Sequence, residues 1–282
     1  MPAFSAEFAE REYNNRAACP DHPQWFARWA AESAAARARL AARLDLRYGS
    51  GPRQTIDLFP APQPRGALLF IHGGYWRALD KSFHSFIAAP LVDDGVGVAV
   101  LNYDLCPKVS IARIVDECRE AVAWLVQEGA RHGVPCDHLL IAGNSAGGHL
   151  AAMMLATDWS AWNVDPATIK AALAISGVFD LEPLLQTSLN ADLRLDTATA
   201  RAASPIHLTP AVDAPLLLAV GANETSEFRR QTQLQWECWP GARPTGWSGP
   251  YEVPDRHHFS IVSDLGDANS GLSTRIRAQF AA

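Results

Sequence analysis

Six short apolar runs recur along the chain, at Thr55–Phe59, Ala67–Ile71, Val96–Leu101, His138–Ala142, Ala171–Ile175 and Pro215–Val220. Runs such as Ala67-Leu68-Leu69-Phe70-Ile71 are apolar throughout, with no alternation to polar positions. A strand reads this way when helices cover both faces of its sheet, so the pattern predicts a mostly parallel sheet. Segments with helical spacing lie between the runs, near Ser82–Val92, Ile111–Gly129, Ala146–Ala156 and Glu227–Trp236. The alternation predicts an α/β fold in which residues 1–282 form a single domain, a length that large α/β folds reach.

Two stretches fall outside the alternation. Residues 1–50 are rich in Ala, Arg and Glu, and Trp25, Phe26, Trp29, Leu40 and Leu44 outline the apolar stripe of a helix starting near Pro23. The break at Gly49-Ser50-Gly51-Pro52 closes this N-terminal helical segment. Residues 177–210 are long and mixed in polarity, and predict a small cap-like segment.

Composition narrows the function classes. Hydrophobic residues make up 48% and charged residues 19%, which supplies a buried core and excludes a disordered chain. A net charge of -6 and the lack of any Lys/Arg stripe argue against a nucleic-acid surface. The five cysteines are scattered and form no C-x-x-C pair, the pattern of reduced thiols rather than of a disulfide framework or zinc site. Met1–Arg11 lacks a signal-peptide layout, and the apolar runs fall short of the ~20 residues that span a bilayer. A cytoplasmic protein without nucleic-acid or membrane partners is expected. The N-terminal segment can pack on its own domain or on a second copy, so a homo-oligomer is compatible with the sequence.

The chemistry enters at Gly143-Asn144-Ser145-Ala146-Gly147, a G-x-S-x-G match between an apolar run and a helical one. A nucleophile elbow requires that strand–turn–helix setting, because a strained turn must lift the serine hydroxyl above the sheet. His72-Gly73-Gly74 follows the run Ala67–Ile71, where acyl-transfer enzymes of this kind place oxyanion donors. The N–H groups of Gly73, Gly74 and Ala146 are the expected oxyanion hole, and His72 is expected to serve its own loop structurally. An activated serine also needs an imidazole and a carboxylate, in chain order Ser, acid, His. His149 is too close to the elbow, and His207 precedes the last strong strand, which leaves His257 or His258 as base. For the acid, Glu224 stands nearest the end of the run Pro215–Val220, whereas Glu227 is expected in the following helix. No H-E-x-x-H or comparable metal spacing occurs, and this chemistry calls for no cofactor.

With these residues in place, the chain resembles the kynurenine formamidase (arylformamidase) branch of the α/β-hydrolases, near the hormone-sensitive-lipase-like esterases. The resemblance runs over most of the chain. It is carried by Glu12-Tyr13-Asn14-Asn15-Arg16, His72-Gly73-Gly74-Tyr75-Trp76, Asn102-Tyr103-Asp104-Leu105-Cys106-Pro107, Ser145-Ala146-Gly147-Gly148-His149 and Ser176-Gly177-Val178-Phe179-Asp180-Leu181. It implies an α/β-hydrolase fold and a small-molecule substrate, an arylformamide of the N-formylkynurenine type. It also implies Glu224 as acid, in Val220-Gly221-Ala222-Asn223-Glu224-Thr225-Ser226-Glu227-Phe228, and His258 as base, in His258-Phe259. The Pro- and Trp-rich stretch from Trp239 to Pro254 departs from the family pattern, as does a Glu where many relatives carry Asp. Tyr75 and Trp76 are expected to bind substrate, narrowing the acyl side and offering an aromatic face, with core packing as the alternative for the pair. The rival functions are a short-chain carboxylesterase using the same triad and a non-catalytic ligand-binding member of the fold.

Overall fold

The computed structural model describes residues 5–281; the first four residues of the Met1–Arg11 stretch, and Ala282, lie outside the described residues. Eight strands form one sheet: β1 (Arg43–Arg47), β2 (Thr55–Phe59), β3 (Ala67–Ile71), β4 (Gly97–Leu101), β5 (Leu139–Asn144), β6 (Ile169–Ile175), β7 (Leu216–Gly221) and β8 (Tyr251–Val253). Their order is β1-β2-β4-β3-β5-β6-β7-β8. The β1/β2 and β2/β4 pairs are antiparallel, and from β4 to β8 all neighbours run parallel.

The uniformly apolar runs are explained by a core on each side of the sheet. In β3, Ala67, Leu69 and Ile71 enter one core while Leu68 and Phe70 enter the other, all fully buried. Helices Ile111–Glu128, Ala146–Leu155 and Ser226–Cys238 cover the first face. Helices His22–Arg39, Ala88–Asp93 and Gly271–Ala278 cover the second. Each fully buried Val, Leu, Ile or Phe contributes about 1.5–3 kcal/mol, so both faces are firmly held.

β3 lies between β4 and β5, so the winding of the chain reverses there. Open α/β sheets bind ligands outside the carboxyl ends of their strands at such a reversal. The register pairs Ile71 with Gly143, which brings the loop after β3 and the turn after β5 out side by side.

Several elements differ from the sequence expectation. The N-terminal helix stops at Arg39 with Leu40 as its cap, and Leu44 sits 45% exposed on edge strand β1 rather than in a helical stripe. The segment 82–92 divides into two 3₁₀ turns and the short helix Ala88–Asp93. Pro90 accounts for the division: its missing N–H is harmless in the first turn of a helix but would break a bond inside a longer one. β8 falls inside the Pro- and Trp-rich stretch and pairs with β7. Residues 177–210 consist of short turns and helices, including Glu182–Gln186, Asn190–Leu193 and Thr197–Ala202. Among the described residues no helix is long and apolar enough to cross a membrane.

Candidate active site

Ser145 directly follows β5 and caps the helix Ala146–Leu155 with φ 58° and ψ -117°. A non-glycine residue adopts this conformation only where its surroundings impose it, at a cost of order 1–3 kcal/mol. Here the flanking glycines permit the turn. A Cβ on Gly147 would stand 1.9 Å from the Ile71 carbonyl oxygen, and one on Gly143 would stand 2.1 Å from that of Gly147. The Ser145 N–H donates to the Ile175 carbonyl at 2.8 Å, tying the turn to β6.

The His-Gly-Gly loop approaches this turn closely. A Cβ on Gly73 would lie 3.1 Å from the Cβ of Ser145 and 2.7 Å from the Asn144 carbonyl oxygen. Gly74 has φ +108°, and a Cβ there would lie 2.2 Å from the Ala78 carbonyl oxygen. Among the described residues, no loop, turn or side-chain hydrogen bond takes up the N–H of Gly73, Gly74 or Ala146. His72 is sealed in its own loop, with Nδ1 2.7 Å from the Gly73 carbonyl oxygen and Nε2 3.2 Å from Asn102 Oδ1.

The carboxylate and the imidazole meet at the ends of β7 and β8. The Ala222 N–H donates to the Val253 carbonyl and the Asn223 N–H to that of Arg256, which lays the two loops side by side. Glu224 Oε2 then lies 2.8 Å from His258 Nδ1, and both residues are buried. Glu224 Oε1 accepts from the Gly221 N–H at 2.8 Å and from the Ser176 hydroxyl at 2.5 Å. His257 turns the other way, with Nε2 3.2 Å from Asp21 Oδ2. Glu227 is likewise elsewhere, accepting from the Tyr13 hydroxyl and bonded twice by Arg230.

One cavity is lined by Ser145, His258, Gly74 and Tyr75. Tyr75 donates its hydroxyl to the Tyr13 carbonyl at 2.6 Å. Trp76 does not line the cavity; it is fully buried and stands edge-on to His149 with ring centroids 5.0 Å apart. Two contributions escape sequence reasoning. Ser176, directly after β6, supports the carboxylate, and its signal in the sequence is its place at the head of the Ser176–Leu181 motif, with nothing there to link it to Glu224. The N-terminal helices supply Asn15, Arg16, Phe26 and Trp29 to the cavity wall.

Three histidines around this frame are fully buried and held neutral. Burial pushes His72 and His149 down to about 4 and His84 to about 3. The unfolded chain binds protons at these sites below about pH 6.5 while the folded protein does not, so stability falls as pH drops from there towards 4. Each site costs up to about 1.4 kcal/mol per pH unit in that window. The urea midpoint is expected to be flat above pH 7 and to fall steeply below pH 6; a midpoint constant down to pH 5 would contradict neutral burial.

Comparison with known proteins is consistent with this geometry. The BD-FAE family model matches residues 59–235. The kynurenine formamidase of Salmo salar is 34% identical over 241 residues, covering 82% of this chain and 79% of that protein. A crystal structure described as a putative thioesterase from Silicibacter sp. tm1040 superposes with a TM-score of 0.85 at 34% identity, covering 95% of this chain and 98% of the other. Esterase B from Lactobacillus rhamnosis shares the fold at 20% identity, with a TM-score of 0.71 over 94% and 95% of the two chains.

Proposed function

The chain belongs to the kynurenine formamidase family of α/β-hydrolases and is a hydrolase, and on that premise we propose that it cleaves an arylformamide of the N-formylkynurenine type through a serine acyl-enzyme. The observation that supports this reading most is the buried Glu224–His258 pair opening on the same cavity as Ser145 at its strained elbow. His258 donates its Nδ1–H to Glu224, leaving Nε2 to take the Ser145 proton as the hydroxyl attacks the formyl carbonyl. The N–H groups of Gly73, Gly74 and Ala146 then hold the tetrahedral oxyanion, each such donor being worth roughly 100- to 1000-fold in rate. His258 returns the proton to the departing aryl amine, and water releases formate from the formyl-enzyme.

The test is a comparison of kcat/KM for N-formylkynurenine and p-nitrophenyl acetate. The formamide is expected to be the better substrate, and turnover of the ester alone would replace this reading. That second reading, hydrolysis of short-acyl esters or thioesters with the same residues, is favoured by the 34% identity to the Silicibacter protein described as a putative thioesterase.

A further inference from the structure

The helices Ala6–Tyr13 and Asn15–Ala18 are fastened to the site from three directions. Tyr75 of the oxyanion loop bonds the Tyr13 carbonyl, Thr225 and Ser226 beside the acid bond Glu12, and the Ser188 N–H bonds Glu10 at 2.7 Å. A segment held at so many points presents its side chains to the cavity in fixed positions.

Among these, Asn15 stands out. It lines the cavity, is 5% exposed, and its Nδ2 is buried without a hydrogen-bond partner. Buried polar groups are almost always satisfied, and an orphan donor facing a cavity calls for an acceptor from the ligand. The next residue, Arg16, lines the same cavity with its guanidinium 5.9 Å from the centre of the Phe26 ring, and among the described residues no carboxylate pairs with it. The Glu10 carboxylate on the same wall is occupied, accepting both the N–H and the hydroxyl of Ser188. Beside them Phe26 and Phe259, edge to face at 5.4 Å, supply an aromatic wall.

We propose that Asn15 and Arg16 form the specificity-determining subsite for a carboxylate carried on the leaving group, so that the substrate class is an aryl amide or ester that bears a carboxylate rather than one that lacks it. The inference rests on the serine-hydrolase reading above. N-formylkynurenine meets the description, because its aryl ring carries an amino-acid side chain. The pair supplies a neutral and a charged donor to one carboxylate, the latter being the stronger kind of bond.

The experiment uses two formamides that differ only in the carboxylate, N-formylkynurenine and N-formylkynuramine. Wild type is expected to favour the carboxylate-bearing substrate in kcat/KM, and Asn15→Leu and Arg16→Gln are each expected to lower that preference by about 10- to 100-fold, chiefly through KM. A merely structural role would depress both substrates alike and leave the ratio unchanged, which would overturn the proposal. Arg16 is exposed, so its replacement tests the charge without opening a hole in the buried core. If neither formamide is turned over, the formamidase reading fails on its own. The subsite is then decided by inhibition of phenyl acetate hydrolysis: tighter binding of kynurenine than kynuramine, lost in both variants, supports it, and equal binding in wild type overturns it.

Discussion

Ser145→Ala is expected to lower kcat by about 10⁶-fold, the scale seen when a triad nucleophile is removed. The loss is chemical rather than structural. Alanine keeps the Cβ that the elbow already accommodates at φ 58°, and the bond from the residue 145 N–H to Ile175 is a backbone one. The proposed oxyanion donors also remain, so a residual rate above that in water is expected. Turnover is checked alongside labelling by a fluorophosphonate probe and a thermal melt. The variant should melt as wild type does and take up no label. Retention of more than a hundredth of the wild-type rate would remove Ser145 from the mechanism.

Glu224→Gln is expected to cost about 10⁴-fold in kcat, through the tautomer of His258 rather than through any loss of shape. The carboxylate accepts the Gly221 N–H and the Ser176 hydroxyl on Oε1 and faces His258 Nδ1 with Oε2. A glutamine has one oxygen and one NH₂ for these two ends. The Gly221 N–H cannot accept, so the amide oxygen must stay on that side and the NH₂ must face His258. Nδ1 then becomes an acceptor and the ring proton moves to Nε2, where it blocks removal of the serine proton. Glu224→Asp keeps the charge and should lose far less. Kinetics of the two variants, with circular dichroism to confirm the fold, separate the tautomer effect from misfolding. Equal losses for Gln and Asp would contradict it.

The sequence made the centre of this protein readable and left its margins obscure. β2 and β3 coincide with their apolar runs, because strands buried on both faces are bounded sharply by turn residues. The elbow and the His-Gly-Gly loop were legible for the same reason, since a strand leads into each. β1 was hidden: Arg43-Leu44-Asp45-Leu46-Arg47 alternates as a strand should, but it abuts an Ala-rich helical stretch and leaves Leu44 in solvent. β8 has only three residues and takes its order from β7 rather than from its own pattern. His257 and His258 are neighbours with identical side chains. Chain order alone could not separate them; the contacts of each ring, one with Asp21 and one with Glu224, do. Ser176 and Asn15 stood inside motifs that carry the resemblance, but their contacts were not legible, because those depend on residues far away in sequence that no local pattern brings near.

The hydrogen bond from Tyr13 to Glu227 joins residues 214 positions apart, and it bears on how the protein is made. A ribosome adding about 5–20 residues per second needs roughly 10–40 s to cover that gap. Within that interval β3 and β5 are made, so the elbow and its neighbouring loop can form while the N-terminal helices still lack the helix on which they dock. The growing chain thus carries its serine long before Glu224 and His258, the proposed acid and base, are made and the N-terminal helices can dock. On the proposed mechanism, a nascent or stalled chain is inert, and hydrolysis begins only when the last quarter of the polypeptide is free to fold.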